Sequence, residues 1–391
     1  MPRRRNKLTR DDRDQRRTDG GSEAGLAEAV GKAVNMLKPR SLCVLSRKPL
    51  RDEDCPEVPE IDVLSVWNRT EEYPQRMIVS TSFGRVYVDV LWVPVSAMID
   101  PLEAAGYRTL PHLFLESEMA WSKPAFIGPL IDEIRANAYE KAVWERRLGS
   151  QLAFGDSALQ EAKRNLGYPP GALFFLQTAH AYYMTALGNT LRMSVTSLMS
   201  KPMTKLRRMD AATDSSLEEL LSANLHLDSE PSASMDALKR VHGAVSARCS
   251  PHPVRGMSER TWGHYEYSLS GLELEYRLAV AAALMRRGDF AQANYYLRFW
   301  AYSLARCPVV CREAAEGRNP NFYVPFRAFK ESLSEACPEI IEPVGLILGD
   351  VSRGEVEESL RGAARFRELV AEEIQEKGLT PASRVRAAAP E

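Results

Sequence analysis

Two acids two residues apart, Glu60 and Asp62, stand in the run Glu60-Ile61-Asp62-Val63-Leu64. On a strand both side chains leave one face, while Ile61 and Val63 point the other way into a core. A third acid, Asp89, lies inside Val86-Tyr87-Val88-Asp89-Val90, and a carboxylate within an apolar strand is costly unless it is partnered. Three carboxylates converging from adjacent strands would meet that cost by holding divalent cations through oxygen ligands. Two Mg²⁺ ions held about 4 Å apart suit nucleotidyl transfer, activating an attacking hydroxyl and neutralising the departing pyrophosphate. Asp89 is then the candidate to take the acceptor's proton. The competing reading of Glu60 and Asp62 is a pair of solvated acids at a strand edge; Asp89 shifts the balance toward a shared site.

A triphosphate also needs backbone N–H donors, which a small-residue turn supplies. Leu45-Ser46-Arg47 follows a first apolar run, Leu42 to Leu45, and is where that turn is expected. A polar loop rich in acids and prolines, Arg51 to Pro59, leads to a second strand, Ile61 to Trp67. Met77 to Ser82 and Arg85 to Val95 flank Phe83-Gly84 and read as a hairpin, with Val86, Val88 and Val90 alternating against Tyr87, Asp89 and Leu91. Before them, Leu26, Val30, Ala33 and Leu37 follow the spacing of one buried helix face, ended by Pro39. These elements predict a small mixed sheet with helices on one side.

Beyond residue 96 the pattern turns helical. Expected helices are Ile131–Leu148, Ala172–Met193, one after Ser215-Ser216, Ser234–Ala247, Tyr267–Arg287, Asp289–Arg306, Arg327–Ala336 and Glu355–Lys377. Ser215-Ser216-Leu217-Glu218 offers a capping-box signature, and Gly288 a helix-to-helix turn. The fold class is α+β: a small mixed-sheet domain at 22–130, then a larger all-helical region at 131–378. Residues 1–21 read as a disordered basic tail and 379–391 as a second disordered tail.

The formal net charge of −1 excludes bulk polyanion binding, so RNA contact would need a local basic patch. No apolar run approaches the ~20 residues of a membrane span, no signal peptide opens the sequence, and six scattered cysteines give no disulfide-like density. A cytoplasmic protein is expected. Cys307 and Cys311, and the group His242, Cys249 and His252, lack the paired spacing of a zinc site. His180 sits in an apolar helix and reads as a hydrogen-bonded core residue, not a base. No glycine-rich phosphate loop is legible.

The order of strand, Ser-containing turn, acidic loop, Glu60-Ile61-Asp62-Val63-Leu64 and Val88-Asp89-Val90 resembles the polymerase-beta-like nucleotidyltransferase superfamily, closest to its small-molecule branch, which includes the aminoglycoside nucleotidyltransferases. The resemblance implies that Ser46 contacts the triphosphate and that Glu60, Asp62 and Asp89 bind metal. Tyr183-Met184-Thr185-Ala186-Leu187-Gly188-Asn189 is similar to a helix of that branch which precedes a basic segment facing the substrate pocket. By that likeness Lys201 and Lys205 join Ser46 and Arg47 as nucleotide-binding candidates; read from charge alone, Lys201, Lys205, Arg207 and Arg208 form a solvated basic face. The resemblance covers residues 22 to 210. It implies a Mg²⁺-dependent transferase that takes an NTP and moves its NMP to a hydroxyl of a small-molecule acceptor. Leu45 replaces the family's Gly, Glu60 its usual first Asp, and Asp52, Glu53 and Asp54 lengthen the loop between them. Those departures open two alternatives: a catalytically silent nucleotidyltransferase-like scaffold, or an RNA-modifying enzyme.

Overall fold

The chain is α+β, with a mixed sheet near the N-terminus followed by a helical region. The strands are β1 (Cys43–Arg47), β2 (Glu60–Trp67), β3 (Tyr73–Thr81), β4 (Gly84–Pro94) and β5 (Ser117–Ser122), in the spatial order β3-β4-β2-β1-β5. This computed structural model describes residues 10–48, 55, 57–107, 110–195, 198–249, 256–318, 320 and 329–381, with side chains from residue 23. The acids Asp52, Glu53 and Asp54 lie outside the described residues, as does His252.

Two strands decide what the sheet can do. β2 and β4 are parallel neighbours, with Ile61 beside Val88, Asp62 beside Asp89 and Val63 beside Val90. β1 runs antiparallel to β2, and β3 antiparallel to β4. The period of two splits these strands into two faces. One carries Val44, Ile61, Val63, Val86, Val88 and Val90, packed with Leu26, Ala29, Ala33 and Leu37 of helix α1 (Arg10–Leu37). The other carries Cys43, Leu45, Leu64, Val66 and Val93, covered by α2 (Pro101–Gly106), α3 (Leu110–Leu115) and α4 (Ile127–Asn137).

Helices therefore cover both faces, not the one side expected from sequence. Both faces are apolar over half their length, and neither half can be left in water. The second face turns polar toward one end, at Arg47, Glu60, Asp62 and Asp89. That end holds the candidate site.

The helical region comprises α5 (Lys141–Arg164), α6 (Pro169–Thr190), α7 (Met203–Thr213), α8 (Leu217–Leu225), α9 (Ser232–Arg248), α10 (Glu259–Leu269), α11 (Gly271–Arg286), α12 (Phe290–Ala315), α13 (Phe329–Ala336), α14 (Ile341–Leu348) and α15 (Arg353–Glu376). α6 is buried nearly all round, as its composition predicts. His180 on it is a core residue: Nδ1 bonds Leu176 O at 2.8 Å, and its ring packs edge-on to Phe366.

Several expectations need correction. The helix expected at Ile131–Leu148 is two helices, because Ala138 O is taken by the buried Arg147 guanidinium at 2.6 Å and Glu140 caps a new start at Val143 N. Ile127, Ile131, Ile134 and Val143 pack under the sheet, so the sheet-bound core runs beyond residue 130. Tyr267–Arg287 divides at Ser270, whose extended backbone (ψ 128°) ends α10. α12 continues through Pro308 to Ala315, its apolar face buried on both sides of the proline. β5 escaped notice because Glu118, Met119 and Ala120 are all exposed, as on an edge strand, and show no alternation.

α1 starts at Arg10, within the segment expected from sequence as a basic tail. At the other end Leu379 is buried. Gly378 (φ 68°) and Leu379 close α15 with N–H bonds to Gln375 O and Ile374 O, a Schellman motif that ties the following residue down. α8 is capped by Asp210, whose carboxylate accepts from Leu217 N and Glu218 N; the Ser216 side chain makes no capping bond.

Burial pushes the His180 imidazole down from 6.5 to about 4, and burial with the nearby Arg147 charge does the same to His112. The unfolded chain takes up these protons near pH 6.5, whereas the folded chain refuses them until about pH 4. Stability is thus complete above pH 6.5 and is lost as the pH falls through that window. In urea unfolding at pH 7.5 and 5, a His112→Gln/His180→Gln variant should lose less stability on acidification than the wild type, by on the order of a few kcal/mol; an equal change in both proteins would contradict the burial of both rings.

Candidate functional site

The parallel register of β2 and β4 sets Asp62 beside Asp89, and Glu60 follows two residues away on the same face. One carboxylate oxygen from each of the three lies within 4.8 Å of the others. The three acids therefore stand together at one end of the sheet.

β3 brings a cation to them. Arg76 is paired in register with Asp89, and its side chain is 3% exposed. Nη1 donates to Glu60 Oε1 at 2.6 Å, Nε bonds Glu273, and Nη2 donates to the Tyr267 hydroxyl at 2.9 Å and lies 3.5 Å from Asp89 Oδ2. The guanidinium also stands over the Tyr276 ring, 3.8 Å from its centroid. Burial alone would lower its proton affinity, but Glu273 first, with Tyr267, Asp89 and Glu60, raises it well above the ordinary arginine value. Glu273 is itself fully buried on α11 and also accepts from Arg277 at 2.9 Å.

The three carboxylates are not equally available. Glu60 uses Oε1 on Arg76 and Oε2 on the Tyr276 hydroxyl, with Lys201 Nζ at 3.6 Å. Asp62 and Asp89 keep 40% and 34% of their side-chain surface in solvent and are the open part of the triad. Arg47 borders it, donating to Asp62 Oδ2 at 2.8 Å and lying 3.3 Å from Glu116. Glu116 in turn accepts from Ser194 Oγ and Val195 N, which fixes the chain leading from α6 toward Lys201.

Asp89 is pushed up from 3.8 to about 7, mainly by burial; Arg76 opposes this, while Glu273, Glu60 and Asp62 add to it. The site gathers Glu60, Asp62 and Asp89 against Arg76, Arg47 and Lys201. Its open donors are hard carboxylate oxygens, the set that suits Mg²⁺ or Mn²⁺. The donor set present fits a divalent cation, for which Asp62 and Asp89 would be the first ligands, Glu60 being committed elsewhere.

The nucleotide-binding candidates divide. Arg47 and Lys201 reach the carboxylates, and Lys205 is buried on α7 one turn further along the chain. Ser46 is not on this face. β1 continues through Arg47, so Ser46 pairs with Val63 inside the sheet and is buried on the α1 side. No turn forms at Leu45-Ser46-Arg47, and β1 is laddered on both edges there. Arg207 is held by Glu218 in a forked surface pair.

Arg76, Tyr267, Glu273 and Tyr276 were not anticipated. A lone Arg in a strand beside a lone Asp is the one signal that could have flagged Arg76. No family model matches the chain, and no curated protein matches it significantly.

Removing one partner of a buried ion network leaves the others unpaired, at a cost of about 3–5 kcal/mol. Arg76→Met should lose stability of that order in chemical denaturation. Arg207→Met, which breaks an exposed pair, should lose below about 1 kcal/mol. Equal effects would show that Arg76 is not the buried hub described.

Proposed function

We propose that this chain is a divalent-cation-dependent nucleotidyltransferase of the polymerase-beta-like kind, moving an NMP from an NTP to a hydroxyl of a small-molecule acceptor. The observation that carries the reading is the convergence of Glu60, Asp62 and Asp89 on two parallel strands. When bound, Mg²⁺ supplies charge neutralisation for phosphate and a lowered pKa for the acceptor hydroxyl.

This chain's residues have separable roles in that reading. Asp62 and Asp89 hold the cation. Asp89 is also the candidate to receive the acceptor's proton. Arg47, beside Asp62, is placed to meet phosphate oxygens, and Lys201 stands buried behind Glu60. Glu60 anchors Arg76 and thereby the shape of the floor. A net charge of −1 favours a small acceptor over RNA.

A second reading, a catalytically silent nucleotidyltransferase-like binding module, is favoured by two observations. Arg76 and Tyr276 occupy both oxygens of Glu60, and Ser46 lies on the far face of the sheet.

Calorimetric titration with ATP, GTP, CTP and UTP, each with Mg²⁺, beside an Asp62→Ala/Asp89→Ala variant, tests both. Metal-dependent binding that the variant loses, followed by pyrophosphate release in an acceptor screen, supports the transferase. Binding without pyrophosphate release favours the silent module. No binding of any nucleotide at millimolar concentration contradicts the transferase.

A further inference from the structure

α10 lies outside the part of the chain that resembles a nucleotidyltransferase, yet it places a hydroxyl on the cleft floor. Tyr267 Oη is 3.2 Å from Asp89 Oδ1 and 2.9 Å from Arg76 Nη2. An arginine only donates. The Tyr267 oxygen therefore accepts from Arg76, and its proton is directed to Asp89. Arg76 is the donor at the centre: it donates to Glu273 on α11 on one side and, on the other, to Tyr267, which passes its own proton toward Asp89.

The approach of α10 to the sheet is unusually close. At Gly263, one turn before Tyr267, a Cβ atom would come within 2.6 Å of the Tyr73 ring and 3.2 Å of Pro74. Only glycine lets α10 sit there without displacing β3, and Tyr73 bonds Glu266 across the same contact. The helix is thus seated at the depth from which the Tyr267 side chain reaches Asp89.

We propose that Tyr267 is a positioning residue for Asp89: its hydroxyl fixes the carboxylate so that the remaining oxygen lone pairs face Asp62 across the cleft, ready for a divalent cation. This rests on the cation-site reading above. Ligating carboxylates are commonly oriented by a second group in this way, and loss of that group typically weakens metal affinity about 10–100-fold. The helical half of the chain then completes the site and does not merely cover it.

The test uses the full-length protein and Mn²⁺ as probe. Tyr267→Phe keeps the ring and removes the hydroxyl; it should weaken Mn²⁺ binding by roughly tenfold or more. Tyr265→Phe, on the same helix but hydrogen-bonded to Cys311, should bind as wild type. In an Asp89→Asn background the Tyr267 change should add nothing, which separates positioning of Asp89 from general loosening of the fold. Cation addition to the wild type should also perturb the tyrosine ultraviolet spectrum, a readout that stands even if Tyr267→Phe fails to fold. Wild-type affinity in Tyr267→Phe, or no tyrosine signal on binding, would overturn the proposal and leave the cation site standing. Failure of the wild type itself to bind Mn²⁺ would overturn the cation reading and this proposal together.

Discussion

A guanidinium with almost no access to water, surrounded by acids, governs the polar end of this molecule. Arg76 cannot lose its charge, and burying an unpaired charge is too costly for a fold to sustain. It therefore draws Glu60 from β2, Asp89 from β4 and Glu273 from α11 to one point. The arrangement of the acids and one of the contacts that dock the helical region on the sheet follow from that constraint, beside pairs such as Tyr73 with Glu266 and Tyr87 with Glu275.

That constraint divides the acids by role. Glu60 and Glu273 face the guanidinium and stabilise it, and both are nearly or fully buried. Asp62 and Asp89 lie on the outer side, partly in solvent, where a ligand can reach them. A buried ion network is weak evidence for stability as such, because desolvation offsets much of the attraction. Its value here is geometric: it holds a charged floor in one arrangement, with Arg47 at the rim and Lys201 behind Glu60. The tyrosines of α10 and α11 add direction, since each hydroxyl donates to one chosen carboxylate oxygen.

The acidic triad was legible in the sequence for a physical reason. Asp89 interrupts a valine strand, and that local cost demanded a partner; the period of two then paired Glu60 with Asp62. The strands, the long buried α6 and His180 as a core residue follow from equally local rules. What escaped depended on distance along the chain or on a strand's exact end. Arg76 and Glu273 are 197 residues apart in sequence, and nothing in the pattern of either segment points to the other. Ser46 was expected in a turn because apolar residues stop at Leu45, but backbone pairing with β2 and β5 carries the strand through Arg47 and turns Ser46 to the opposite face. The break at Ser270 that separates α10 from α11, and so aims Tyr267 and Tyr276 at different acids, has no apolar signature at all.

The central claim is that Asp62 and Asp89 share a divalent cation. A crystal soaked in Mn²⁺ and measured for anomalous scattering tests it most directly. The account expects a peak bridging an oxygen of Asp62 and one of Asp89, at about 2.0–2.3 Å from each, with Arg76 still bonded to Glu60 and Glu273. No peak at that floor at saturating Mn²⁺, with Arg47 still on Asp62 and Arg76 still beside Asp89, would contradict it and leave the acids as partners of the two arginines alone.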